Sequence, residues 1–168
     1  KGTTRSFIYL FIYLFIYNNF YHLHNIRCIR KFLTMKSIKV LVHAFIMGRI
    51  NYCNSLLYGL PATHINKLQR VQNAAARLIF FKHVTPVLYS LHWLPVQFRI
   101  DFKILIITFK AIYGHAPGYI GNLIHIKDPC MSLWNELPSE IRDEDNFERF
   151  KSKLKTILFR AAYPVKST

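Results

Sequence analysis

The sequence predicts an all-α chain, an irregular bundle of about five to seven helices, preceded by a low-complexity hydrophobic segment. Three observations carry this expectation. Apolar residues after residue 20 recur at helical spacing, no later run reads as a strand, and Gly and Pro fall at the joints between periodic stretches. With 168 residues, 52% of them apolar and 15% aromatic, the chain can build one real core, which argues against general disorder.

The N-terminal segment comes first. "FIYLFIYLFIY", residues 7–17, repeats four letters almost three times. It is short for a bilayer span, which needs roughly 20 apolar residues, and no small-residue cleavage site follows it. Uncharged and rich in strand formers, it is aggregation-prone. A tandem TTTA repeat translates as Phe-Ile-Tyr-Leu and contains no stop in any forward frame. Residues 1–20 are therefore expected to be a translated microsatellite that adds nothing to the fold.

"NIRCIRKFL" then places Ile26, Ile29 and Leu33 on one helix face, with Arg27, Arg30 and Lys31 on the others. Thr34 can cap the next helix, whose inward stripe is Ile38, Leu41, Val42, Phe45 and Ile46. The pattern weakens from Tyr52 and "GLP" at 59–61 ends the unit. In "INKLQRVQNAAARLIFF", Leu68, Val71, Ala75 and Leu78 share one face, and Lys67, Arg70 and Arg77 border it one position earlier. The small residues Ala74 to Ala76 suit a close helix neighbour. "TPVLYSL" reads as a short helix with Thr85 as cap and Pro86 at its first position.

Pro95 opens a long helix ending at Gly114, apolar nearly all round apart from a ribbon of Arg99, Lys103 and Lys110. Such a helix belongs at the centre of a bundle. "APGYIGNLI" follows. In the last helix Phe147, Phe150, Leu154, Ile157 and Leu158 face inward, with Asp143, Glu144 and Asp145 at its start, as the helix dipole favours.

Charge bounds the function. The net charge is +15, yet residues 1–127 hold 16 Lys and Arg against one acid, Asp101, while residues 128–168 hold seven of each sign. So basic a stretch attracts polyanions: RNA or DNA first, an anionic membrane surface second. The domain reading follows: residues 1–20 low-complexity, 21–127 basic and helical, 128–168 a charge-neutral helical tail. Cys28, Cys53 and Cys130 lie far apart, which argues against a disulfide framework or zinc knuckle. His22 and His24 find no third ligand at a familiar spacing, so neither metal nor cofactor is expected. The chain opens on Lys1 and its first methionine is Met35, so a piece of something longer, or a conceptual translation, is expected.

Five ordered segments carry a family likeness: "RINYCNSLLYGLP", "KLQRVQNAAARLI", "TPVLYSLHWLPVQFRIDFKILIITFKAIYGHAPGYI", "LWNELPSEIR" and "FKSKLKTILF". Together, from about Tyr21 to Phe159, the chain resembles the C-terminal, thumb-side region of the reverse transcriptase of non-LTR (LINE-type, jockey-like) retrotransposons. The resemblance implies a helical region after the polymerase palm, beside the template–primer duplex of an RNA-directed DNA polymerase. The palm, with its aromatic-x-Asp-Asp hairpin, is not among these residues. Relative to the family, the linker Phe80 to Val84 is short, and a segment is missing between "NLIHIKDP" and "SLWNELP".

Two-metal phosphoryl transfer needs carboxylates converging on ions roughly 4 Å apart. The only clustered acids, Asp143, Glu144 and Asp145, read instead as an acidic helix start, and no catalytic residue is assigned. Lys67, Arg70, Arg77, Arg99, Lys103 and Lys110 are the candidates for nucleic-acid backbone contact. Trp93 in "LHWLP" reads as a core plug rather than a base-stacking platform, and Tyr52 and Cys53 read as packing residues. The expected function is that of a retrotransposon polymerase fragment, intracellular and not itself an enzyme, that binds RNA or DNA backbone. A host-co-opted nucleic-acid-binding module and a membrane-associated basic helical protein stay open as alternatives.

Overall fold

A computed structural model of the chain describes residues 2–52, 54–80, 83–117 and 129–164. These are all-α, with no strand among them. The helices are α1 (Gly2–Ile29), α2 (Met35–Val42), α3 (Gly48–Tyr52), α4 (Ala62–Phe80), α5 (Val84–Ser90), α6 (Val96–Ile112), α7 (Pro129–Asn135), α8 (Ser139–Arg142) and α9 (Phe147–Ala162). Two compact units divide the chain: one comprises residues 1–53 and 60–96, the other residues 54–59 and 97–168.

The first unit is built around α4. Its inward face is Ile65, Leu68, Val71, Ala75, Ala76, Leu78 and Ile79, all buried, as the apolar spacing requires. Against it lie Leu23 and Ile26 of α1, Ile38 and Val42 of α2, and Val87 and Leu88 of α5. Thr34 caps α2 as expected, its side chain accepting from the Ser37 N–H at 3.2 Å. The N-terminal repeat departs from expectation. Residues 7–17 lie within the continuous helix α1, and Ile12 is only 2% exposed. Ile12, Asn19, Leu23 and Ile26, spaced i, i+7, i+11 and i+14, share one helix face, and that face is buried.

Phe45 also departs. A π-helical segment, His43–Met47, follows α2, and its extra residue per turn rotates the stripe. Ile46 and Met47 turn inward, while Phe45 is left 42% exposed, stacked on His22 with centroids 5.4 Å apart. Tyr52, expected to pack, is 88% exposed; Cys53 lies outside the described residues. In α5, Thr85 is no cap: the helix starts at Val84, and Pro86 is its third residue, still in the first turn. Pro is tolerated there because first-turn N–H groups have no intrahelical acceptor to lose.

Polar side chains fix the joints of this unit. Arg30 donates to the carbonyls of Leu78 (2.8 Å) and Ile79 (3.3 Å) near the end of α4, where helix carbonyls are left over. Gln72, fully buried, donates to the Leu94 carbonyl at 2.9 Å. Gln69 accepts from the Val96 N–H at 2.8 Å. Two glutamines on one face of α4 thus satisfy the backbone on either side of Pro95, where α6 begins.

The second unit has an aromatic core. Phe109 of α6 is fully buried, its ring 4.3 Å from Phe150, 4.5 Å from Tyr113 and 5.7 Å from Phe147. Trp134 of α7 packs on Phe150 at 5.5 Å. Leu105, Leu137, Ile141, Leu154 and Leu158 complete the burial. Gly114 takes a φ of +69°, a left-handed turn that only glycine adopts without strain, and this ends α6. Asn146 caps α9, its side chain accepting from the Arg149 N–H at 3.0 Å. Most of "APGYIGNLI" lies outside the described residues.

Candidate nucleic-acid interface

Lys67, Arg70 and Arg77 are exposed on α4 because each precedes a buried residue, Leu68, Val71 and Leu78. Helical register alone therefore holds three cations along one edge of the first unit. Residues 1–96, which contain that unit, hold 12 Lys and Arg and no Asp or Glu at all. Electrostatics follow from this imbalance. His22 has its pKa pushed down, by burial first and then by the Arg49 guanidinium, with no carboxylate in the unit to oppose either.

Two concavities adjoin the α4 edge. A groove of about 560 Å³ between α1 and α4 is lined by Phe20, Leu23, His24 and Arg27 on one wall and Ala74, Arg77 and Leu78 on the other. A second, open hollow of about 850 Å³ lies beside Arg77, Phe80, His83, Val84, Pro86, Val87 and Ser90. Arg77 borders both. Phe20 is 45% exposed, and Arg27, on the same α1 wall, is exposed too.

The ribbon on α6, in the second unit, is less uniform. Lys103 is exposed as expected. Lys110 is half-buried, its ammonium 4.9 Å from the centre of the Phe147 ring, a cation–π contact inside the unit. Arg99 is largely withdrawn from water, and burial drags its guanidinium down to about 10, against the opposing effect of Tyr163. Tyr163 in turn is pushed up to about 12, by burial above all, with Arg99 opposing. Arg99 thus serves the packing of α6 rather than an exposed ribbon. Asp101, the single acid before residue 128, is raised by burial while Gln97 donates to it at 2.9 Å.

The acidic turn is engaged locally. Glu144 accepts from the Lys153 ammonium at 2.6 Å, and that hydrogen bond holds its carboxyl below the usual range. Trp93 is buried, its backbone N–H donating to the Leu88 carbonyl at 2.9 Å, while His92 is exposed at a positive φ of 53°. Among the described residues no three His, Cys, Asp or Glu side chains gather as a metal site would need. His24 and Cys28 do approach to 3.6 Å.

Compared with protein-family models, curated proteins and solved structures, the chain matches none. The interface is defined by its own residues. Arg27, Phe20 and His24 were not among the sequence candidates, because nothing local marks them as neighbours of Arg77.

Proposed function

We propose that the chain is a helical, thumb-side fragment of a retrotransposon-type RNA-directed DNA polymerase, and that it binds RNA or DNA through the phosphate backbone without reading bases. One observation carries the reading: 12 cations without a single carboxylate in residues 1–96, three of them exposed in register on α4. Cations so placed neutralise phosphates and release counterions, which makes affinity fall steeply with salt. The five segments quoted above support the origin.

Salt-titrated fluorescence anisotropy on unrelated RNA and DNA duplexes tests binding. Log K is expected to fall by about 0.7 to 0.9 per phosphate contact for each tenfold rise in salt. Changing Lys67, Arg70 and Arg77 together to Gln lowers that slope by roughly two to three units, with little change in helicity because all three are exposed. A slope near zero, or one the triple variant leaves intact, refutes backbone binding.

The chain is further proposed to lack polymerase activity by itself, since Glu144 of its one acidic cluster pairs with Lys153 within the second unit. Primer extension on an RNA template with Mg²⁺ should match a buffer control. Extension that disappears when Asp143 and Asp145 become Asn would overturn this.

A second reading has one observation behind it. Leu10, Tyr13, Leu14, Tyr17 and Tyr21 form an exposed apolar stripe on α1, 55–68% exposed, which suits the interface of an anionic membrane. No helix among the described residues is long and apolar enough to cross a membrane. Phosphatidylserine vesicles that displace the duplex in the same titration would favour it.

A further inference from the structure

The groove between α1 and α4 has a shape and chemistry that duplex backbone contact does not use. At about 560 Å³ it falls within the range of small-ligand sites. It is also too small for a double helix, whose bases are already stacked. Its walls combine two guanidinium groups, Arg27 and Arg77, with the exposed ring of Phe20 and the imidazole of His24. Ala74 keeps the opposite wall low. Neither arginine has a carboxylate within its unit to pair with, because the first acid of the chain is Asp101. Two arginines lining one concavity without an anion of their own are suited to a phosphate, which each can bind through a fork of two N–H donors.

We propose that this groove is a site for single-stranded nucleic acid, in which Arg27 and Arg77 hold a backbone phosphate and Phe20 stacks an unpaired base. The inference rests on the reading of the chain as a nucleic-acid binder and adds to it a strand form and a base-dependent contact. Stacking on an aromatic ring tolerates any base, so the site has no sequence preference. A strand leaving the groove past Arg77 enters the second hollow, where Phe80 and His83 offer further ring surface beside the same guanidinium.

Anisotropy of the full chain with two labelled probes decides the matter: an oligothymidylate of about twelve nucleotides, within the usual span of such sites, and an abasic strand of equal length and charge. The oligothymidylate should bind tighter, by roughly five- to a hundred-fold. Phe20→Ala should erase that preference and Phe20→Trp should keep it, while Arg27→Gln weakens both strands. Equal binding of the two probes, with a steep salt dependence, overturns the groove site and leaves backbone binding standing. Failure to bind either probe at low salt removes both. If Phe20→Ala instead weakens binding to phosphatidylserine vesicles and no base preference exists, the groove belongs to a lipid surface and the inference is overturned.

Discussion

Replacing Ile12 by Asp is expected to destabilise the first unit by about 3–5 kcal/mol, because an isolated carboxylate forced into an apolar contact must either lose its hydration or unseat the helix. Ile12 is 2% exposed, on the same face of α1 as Leu23 and Ile26. Tyr13, its neighbour in sequence, points away and is 68% exposed, so Tyr13→Asp should change stability by no more than about 0.5 kcal/mol. The two variants carry the same added charge at adjacent positions in the repeat, on opposite sides of the helix. Urea unfolding read by Trp93, in a Trp134→Phe background, reports on the first unit. Equal effects from the two substitutions would mean that α1 does not pack through this face. The genetic origin of the repeat is a separate matter, and its coding DNA can be a TTTA tract whether or not its product is held in a fold.

How far the sequence revealed the fold depended on whether a segment carried its own asymmetry. On α4 the alternation of Leu68, Val71 and Leu78 with Lys67, Arg70 and Arg77 marks inside and outside without help from any other helix. The repeat has no such asymmetry. Every residue of "FIYLFIYLFIY" is apolar or aromatic, so its periodicity names no face, and only a distant partner selects Ile12 for burial. Phe45 was misplaced for another reason: an even helical register does not anticipate the π-helical segment His43–Met47. Thr85 and Pro86 form a familiar start signal, yet the helix begins at Val84, two residues before the expected first position at Pro86.

The candidate interface divides along the same line. A cation beside an amphipathic stripe is exposed by register, and Lys67, Arg70 and Arg77 are. A cation in a helix that is apolar nearly all round has no such guarantee. Arg99 and Lys110 sit on α6 among neighbours that cover it, and one is withdrawn from water while the other lies on the Phe147 ring. The groove was invisible for a third reason, since Arg27 and Arg77 lie far apart in the chain and only the pairing of α1 with α4 unites them. The joint at Pro95 is similar. Gln69 and Gln72 look like ordinary polar positions of a helix, and only the fold shows them bonded to Val96 and Leu94.

The second unit should depend most on Phe109. Its ring is fully buried and touches the rings of Tyr113 in the turn after α6 and of Phe147 and Phe150 in α9, with Trp134 of α7 at 6.4 Å. Phe109→Ala removes those contacts and leaves a cavity that three helices cannot easily close, at a cost of about 3–5 kcal/mol. Phe109→Leu keeps most of the volume and loses the ring-to-ring geometry, so it should cost less, about 1–2 kcal/mol, in the range of hydrophobic swaps and lost aromatic pairs. The gap between the two variants separates filling from stacking. Urea unfolding read by Trp134 in a Trp93→Phe background measures it, because Trp134 packs directly on the same cluster. If both substitutions cost equally little, the cluster is not the core of this unit. If Leu costs as much as Ala, ring geometry rather than volume holds α6, α7 and α9 together.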